Sequence, residues 1–309
     1  MQTFYSLSTE QQNTAVALGY FDGVHRGHRR VLGAAAEQRK NGLLPVCLTF
    51  SESPKSITAG IRPHELMTRA DKLRALEQTG MEHVYFQSFR PVMNLSAREF
   101  FDSVLLKALN AKWLFCGFNY RFGKNAEGNT ETLAGFCRQS GVELTVIPPE
   151  TDGGEVICST LIKNLIARGD IERANRLLGA RFGFAAEVTH GKKLGRELGA
   201  PTINQGLAEG LAVPRFGVYA SRVTLEDGRA YCGVTNVGIK PTVGGTVPLW
   251  ETWMPQYTGG ELYGQTADVR LLKYIRAEKK FDSLDALKAE IKQNGQTALA
   301  VFAGDLQNT

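Results

Sequence analysis

An α/β unit followed by a mainly β unit is the fold class this sequence predicts, and two observations carry it. Through roughly the first 180 residues, short apolar runs alternate with amphipathic stretches, the pattern of a parallel sheet covered by helices on both faces. After Gly183 the runs turn strand-like, separated by Gly, Pro and Asp, with no long helical pattern until Ser283. That second texture suits an antiparallel barrel of about six strands followed by a C-terminal helix. A length of 309 residues agrees with two domains. We place the division at residues 179–183, giving expected modules 1–182 and 183–309.

In the first module, strands are expected at residues 14–18, 44–50, 83–86, 113–116 and 142–147. A helix follows His28 and ends near Gly42, whose missing Cβ suits the left-handed residue that closes a helix. Another begins at Ser96, where Ser96-Ala97-Arg98-Glu99 makes a capping box ahead of Phe100, Val104 and Leu105. Two more open at Thr130 and at Ser159 or Thr160. In the second module, strands are expected at Val188 and at residues 218–223, 231–237, 249–253 and 267–272. Glu226-Asp227-Gly228 reads as a hairpin turn, since Asp-Gly tolerates positive φ. The terminal helix lines up Leu284, Leu287, Ile291, Ala298 and Phe302, with Gly295 as its candidate break.

Composition narrows the class of function. With 43% hydrophobic and 22% charged residues, the chain is neither disordered nor collagen-like. No apolar run nears the roughly 20 residues that span a bilayer, and residues 1–10 lack the regions of a signal peptide. A cytoplasmic protein without a membrane partner is expected. Lys and Arg exceed Asp and Glu by 36 to 31, a net +5 that suits small phosphate-bearing ligands but is too slight and scattered for nucleic acid. Five widely spaced cysteines without a CxxC pair exclude a zinc knuckle and a disulfide framework. A monomer or weak homo-oligomer acting on small molecules is the expectation.

Two stretches carry chemistry. The apolar run 14–18 leads into Gly19-Tyr20-Phe21-Asp22-Gly23-Val24-His25-Arg26-Gly27-His28 and then a helix. In an open α/β sheet, ligands bind at the carboxyl ends of strands, where a following helix N-terminus offers free N–H groups to an anion. Gly19, Gly23 and Gly27 admit a phosphate close to the backbone, with Phe21 and Asp22 in the same loop. His25 and His28, three apart, can turn both rings to one spot and stabilise charge on a phosphorus centre in transit. A metal reading is disfavoured, because His64, His83 and His190 have no ligand-like spacing. Further on, Gly191, Lys192, Lys193, Gly195 and Arg196 form a basic glycine-rich loop able to wrap a phosphate. Thr202 and Asn204 follow Pro201 in an extended segment, so their oxygens share a face and suit Mg²⁺ completed by waters and substrate phosphates.

The first stretch resembles the signature of the HxGH nucleotidyltransferases, in particular of bacterial bifunctional riboflavin kinase/FAD synthetases. The resemblance continues through Gly117-Phe118-Asn119-Tyr120-Arg121-Phe122-Gly123-Lys124-Asn125-Ala126-Glu127-Gly128 and Ile157-Cys158-Ser159-Thr160-Leu161-Ile162-Lys163. It resumes at Gly199-Ala200-Pro201-Thr202-Ile203-Asn204, Asn236-Val237-Gly238-Ile239-Lys240-Pro241-Thr242, Trp250-Glu251-Thr252-Trp253, Glu261-Leu262-Tyr263-Gly264 and Arg276-Ala277-Glu278-Lys279-Lys280-Phe281. It spans nearly the whole chain.

What the resemblance implies is a Rossmann-like HxGH domain followed by a six-stranded riboflavin-kinase barrel. One would adenylylate FMN to FAD with release of pyrophosphate; the other would phosphorylate riboflavin to FMN, each with ATP and Mg²⁺. His25 and His28 would hold the triphosphate, and Ser159, Thr160 and Lys163 the departing pyrophosphate. Asn119 and the Phe122-Gly123 turn would border the nucleotide, with Phe122 and Asn125 toward the flavin. In the barrel, Gly191, Lys192, Gly195, Arg196 and Pro201 would meet ATP, Thr202 and Asn204 the metal, and Glu251 would be the base. Trp253 and Tyr263 would stack on the isoalloxazine ring.

Five places depart from the family pattern: Tyr20 for Asn, Lys163 for Arg, Trp253 for His, Glu261 for Asp, and Leu48-Thr49-Phe50-Ser51-Glu52-Ser53-Pro54 without the usual Asp/Pro-x-His-Pro. Tyr20, Lys163 and the altered segment after Phe50 define the alternative, a riboflavin kinase whose N-terminal module only binds flavin or nucleotide. A class I aminoacyl-tRNA synthetase fragment would need an anticodon-binding domain and a stronger basic face.

Overall fold

A computed structural model describes residues 1–58, 60, 64–190, 199–242 and 245–307. The chain forms two compact units, Met1–Pro63 with Arg69–Cys158, and His64–Thr68 with Ser159–Thr309.

The first unit is built on six parallel strands: β1 (Gln2–Phe4), β2 (Thr14–Leu18), β3 (Leu44–Phe50), β4 (His83–Gln87), β5 (Ala111–Gly117) and β6 (Glu143–Ile147). Their order is β1-β4-β3-β2-β5-β6. Every residue of β2 is buried, as a central parallel strand covered on both faces requires. From β2 the chain builds outward through β3 and β4, then returns to place β5 on the opposite side of β2. The order reverses between β2 and β5, and a crevice opens at the carboxyl ends of such a pair.

The elements around this sheet follow local signals in most places. Helix α1 (Arg26–Ala36) runs into a 3₁₀ turn (Glu37–Asn41) that closes on Gly42 at φ 75°. The Ser96–Glu99 capping box starts α4 (Ala97–Phe100), which continues as a π-helical stretch, Phe101–Ala108. Helix α5 (Thr130–Ser140) is capped by Asn129, whose Oδ1 accepts from the Thr132 N–H at 2.8 Å.

Outside the sequence reading lie β1, helices α2 (Pro54–Thr58) and α3 (Arg69–Gln78), a 3₁₀ turn (Lys124–Ala126), the antiparallel pair β7 (Thr151–Asp152) and β8 (Glu155–Val156), and, in the second unit, the helix Ile171–Leu178. The buried face of α3 explains its own silence. It consists of Asp71, Lys72, Ala75 and Leu76, so charged residues stand where an apolar stripe would be sought.

The second unit opens with α6 (Ser159–Arg168) and α7 (Ile171–Leu178). Six antiparallel strands follow: β9 (Gly183–Glu187), β10 (Thr202–Gly206), β11 (Gly217–Leu225), β12 (Ala230–Thr242), β13 (Gly245–Trp253) and β14 (Thr266–Arg276), in the order β10-β13-β12-β11-β14-β9. The compact unit begins at Ser159, ahead of the expected module start at 183, because α7 packs on β14. Val188 lies just past the end of β9.

Closure of the barrel depends on its two end strands, β9 and β10. A bridge between Thr189 and Asn204 and the Gln205 side chain join them; Gln205 Nε2 donates to the carbonyls of Ala186 at 2.7 Å and Ala267 at 2.8 Å. Inside lie Trp250, with Phe184 edge-on at 4.8 Å, and a buried hydroxyl chain linking Ser221, Thr235 and Thr252 at 2.7 and 2.9 Å. On the outer face Ala220, Cys232 and Leu272 pack with Ala298 and Phe302 of the terminal helix α8 (Leu284–Gln307).

Helix α8 passes Gly295 unbroken. A Cβ there would lie 2.9 Å from the Trp253 ring, so the glycine gives that indole its seat and does not end the helix. Gly→Ala inside a helix ordinarily gains about 1 kcal/mol. Here overpacking should reverse the sign, and Gly295→Ala should lose roughly 1–2 kcal/mol in urea unfolding. A gain in stability would contradict the seat.

Candidate functional site

The turn between β2 and α1 is strained on purpose. Phe21 (φ 53°), Gly23 (φ 87°) and Val24 (φ 39°) all sit in the left-handed region, which side-chain-bearing residues such as Phe and Val rarely adopt. Gly19 leaves room for the Phe21 ring, which a Cβ would approach to 2.9 Å. That ring in turn meets His28 edge-on at 5.3 Å. Asp22 is buried in the same turn.

His25 occupies the N-cap of α1, where Ser, Thr, Asp or Asn would ordinarily stand. Its Nδ1 accepts the His28 backbone N–H at 3.3 Å. A neutral ring that accepts at Nδ1 carries its proton on Nε2, leaving that nitrogen as a donor. The two imidazoles stack with centroids 3.5 Å apart and planes 18° from parallel. Gly27 keeps the space beside His25 open; its Cβ would stand 3.4 Å from that ring.

Burial holds both rings neutral. It lowers the His25 pKa to about 4, against the opposing pull of Asp22. His28 falls well below its ordinary value through burial first, then the neighbouring His25 and Lys72. The His28 Nδ1 is shielded from solvent and has no hydrogen-bond partner, an arrangement that native proteins seldom tolerate without a functional reason. Beside the pair, Arg26 and Arg30 reach Glu150 at 2.8 and 3.0 Å, and the hydrogen bond from Arg26 heads the causes that keep the Glu150 carboxyl below its usual range.

The remaining expected residues of this stretch are placed as follows. Asn119 is exposed, two residues past the end of β5 at Gly117. Phe122 is buried between Phe100 and Tyr120 and bridged to Gly128, so its ring shapes the turn from within. Asn125 is exposed at φ 56°. Ser159 and Thr160 are the first two residues of α6, with Lys163 one turn on, and this helix belongs to the second unit.

In the barrel, register brings the predicted side chains together. Asn204 on β10 stands opposite Glu251 on β13, which stands opposite Asn236 on β12. Thr202 stands opposite Trp253. Directly opposed residues share a face, so Thr202, Asn204, Glu251, Asn236 and Trp253 line one side, away from the buried hydroxyl chain. Asn204 is only 4% exposed, and its Oδ1 is buried without a hydrogen-bond partner. Asn236 Nδ2 donates to Glu278 at 3.3 Å. Pro201 is exposed just before β10. Trp253 rests on Gly295, and Tyr263 stacks on His190 at 3.9 Å. Gly191, Lys192, Gly195 and Arg196 lie outside the described residues.

Comparison with known proteins matches both halves. The family model for FAD synthetase covers residues 7–161 and the model for riboflavin kinase covers residues 178–302. A bifunctional riboflavin kinase/FMN adenylyltransferase of Bacillus subtilis is 33% identical over 96% of this chain and 95% of its own length. The Escherichia coli K12 protein of the same name is 35% identical over 94% of each. This chain belongs to the bifunctional riboflavin kinase/FMN adenylyltransferase family. A solved structure described as a macrolide-efflux protein from Streptococcus pneumoniae shares the fold at a TM-score of 0.89, with 32% identity over 96% of this chain and 99% of that one.

Several groups near the two sites were not anticipated. Lys72 and Thr49 both bond the Tyr20 carbonyl; Glu150 gathers Arg26 and Arg30; Asn236 flanks Glu251. For Asn236 the only available signal was its place in a family motif. The others come from distant segments.

Because the folded His25 refuses a proton until about pH 4 while its unfolded value is 6.5, the unfolded chain binds more protons between those limits. Stability of the first unit should therefore be intact above pH 6.5 and fall as pH drops toward 4. Thermal unfolding of His25→Asn, which preserves an N-cap acceptor, should show a shallower fall than the native protein. Parallel curves for the two would contradict the assignment.

Proposed function

We infer that this chain makes FMN from riboflavin and FAD from FMN, one step for each of the two family domains. The match of both family domains along one chain carries that reading, and the stacked imidazole pair at the β2–β5 crevice supports its adenylyl-transfer half.

In the first unit an FMN phosphate oxygen attacks the α-phosphorus of ATP and the bond to pyrophosphate breaks. His25 and His28 donate to phosphate oxygens there. Since both rings are neutral before a ligand arrives, each can give a hydrogen bond at once, and the incoming negative charge favours their further protonation. Ser159 and Thr160, the first two residues of α6, and Lys163 one turn on are the candidates to hold the pyrophosphate through hydroxyls and charge. Gly19, Phe21, Asp22, Gly23, Gly27 and Asn119 shape the nucleotide pocket, with Phe122 and Asn125 toward the flavin.

In the second unit Glu251 draws the proton from the riboflavin 5′-hydroxyl as its oxygen attacks the γ-phosphorus of ATP and ADP leaves. The Oδ1 of Asn204, buried and lacking a partner, beside Thr202 on the same face, fits a hard cation. Thr202 and Asn204 would hold Mg²⁺, whose charge would offset that of the transferring phosphates. Gly191, Lys192, Gly195, Arg196 and Pro201 meet ATP, and Trp253 and Tyr263 the flavin ring. The protein acts in the cytoplasm on small molecules, as a monomer or weak homo-oligomer, without nucleic acid or membrane partners. Among the described residues no helix is long and apolar enough to cross a membrane.

Chromatography of riboflavin, FMN and FAD tests both halves. His28→Ala should abolish FAD formation while FMN formation persists; loss of both would count against separate sites. Glu251→Gln should slow riboflavin phosphorylation by about 10²–10⁴-fold with unfolding unchanged, and near-native rates would remove Glu251 from the mechanism. Calorimetric binding of FMN and ATP by the native protein without any FAD would favour a first unit that only binds.

A further inference from the structure

Lys72 is the least expected residue beside the histidine pair. It projects from α3, is only 5% exposed, and carries an ammonium that is costly to bury unless well solvated by protein. Its Nζ donates to the Tyr20 carbonyl at 2.5 Å and to Thr49 Oγ1 at 3.1 Å. Thr49 Oγ1 donates to the same Tyr20 carbonyl at 2.9 Å, closing a three-membered hydrogen-bonded ring. The ammonium also lies 4.4 Å from the Tyr20 ring centroid and 5.4 Å from that of Phe86, both favourable faces for a cation.

Tyr20 stands immediately before Phe21, the first left-handed residue of the strained turn. A backbone held in that region by Phe21 and Val24 persists only where its surroundings over-determine it. We propose that Lys72 is a positioning residue for adenylyl transfer: by pinning the Tyr20 carbonyl it fixes the turn that brings the His25 and His28 rings into register. The claim rests on the adenylyl-transfer reading above. Burial first, then His25, keep the His28 ring neutral, and this cation adds to their effect. Three segments meet at one carbonyl: the turn after β2 through Tyr20, β3 through Thr49 and α3 through Lys72.

The test is steady-state FAD formation from FMN and ATP, with riboflavin phosphorylation by the same sample as the measure of intact protein. Lys72→Met retains the apolar stem and removes the ammonium. It should lower kcat for FAD formation by about 100-fold, the scale of a small misplacement of reacting groups. KM for FMN and ATP should stay within about threefold, since the loss falls on the transition state. Thr49→Val should lower kcat by roughly fivefold with the same KM pattern.

A kcat for Lys72→Met within about threefold of native, or a rise in KM alone, would overturn the proposal. If Lys72→Met fails to unfold cooperatively, Thr49→Val decides: a reduced kcat at native KM supports the pin, and a native kcat overturns it. Absence of FAD from the native protein would instead overturn the activity reading and this role together, whereas an active native protein with an equally active Lys72→Met overturns the role alone.

Discussion

The Nδ1 of His25 accepting the His28 backbone N–H is the contact on which the geometry of the histidine pair, and the chemistry proposed for it, depends. By serving as a helix cap, the imidazole is fixed in rotamer, tautomer and position at once. The first turn of α1 then lays the His28 ring upon it at 3.5 Å. Burial keeps both rings uncharged, and for His28 the neighbouring His25 and Lys72 add to it. The result is a pair of preorganised neutral donors, which need no reorganisation when an anion arrives. The strained turn before them, the Gly19 opening and the pinned Tyr20 carbonyl all maintain that arrangement.

The barrel solves a different problem. The chemistry proposed for it is assigned to a face of three paired strands, and the alignment of Asn204, Glu251 and Asn236 is only as good as the register of β10, β13 and β12. A slip by one residue would turn every one of these side chains to the other face. Register is locked from inside by the Ser221–Thr235–Thr252 hydroxyl chain and at the seam by Gln205. The polar interior thus fixes the position of Asn204, Glu251 and Asn236 on the opposite side.

Much of this was legible in the sequence because the signals are local. The central strand β2, the Ser96 capping box, the Gly42 helix end and the shared face of Thr202 and Asn204 each follow from residues within a few positions of one another. So does the meeting of His25 and His28 on one turn. What escaped was long-range. No spacing rule links Lys72 to Tyr20 across 52 positions, and a charged buried face hides α3 from an apolar periodicity. Gly295 read as a helix break because the Trp253 ring that occupies its missing Cβ lies far away in sequence. The contribution of the imidazole ring as an N-cap was likewise invisible, since histidine is not a usual capping residue.

The account stands most directly on whether the two imidazoles receive the triphosphate. The measurement is an NMR titration of the ring signals of His25 and His28, with and without an ATP analogue whose α,β-bridging oxygen is replaced by methylene. The account predicts that both rings respond together and that the His25 pKa climbs from about 4 as the analogue binds. Saturating analogue that leaves both rings titrating as in the free protein would contradict it.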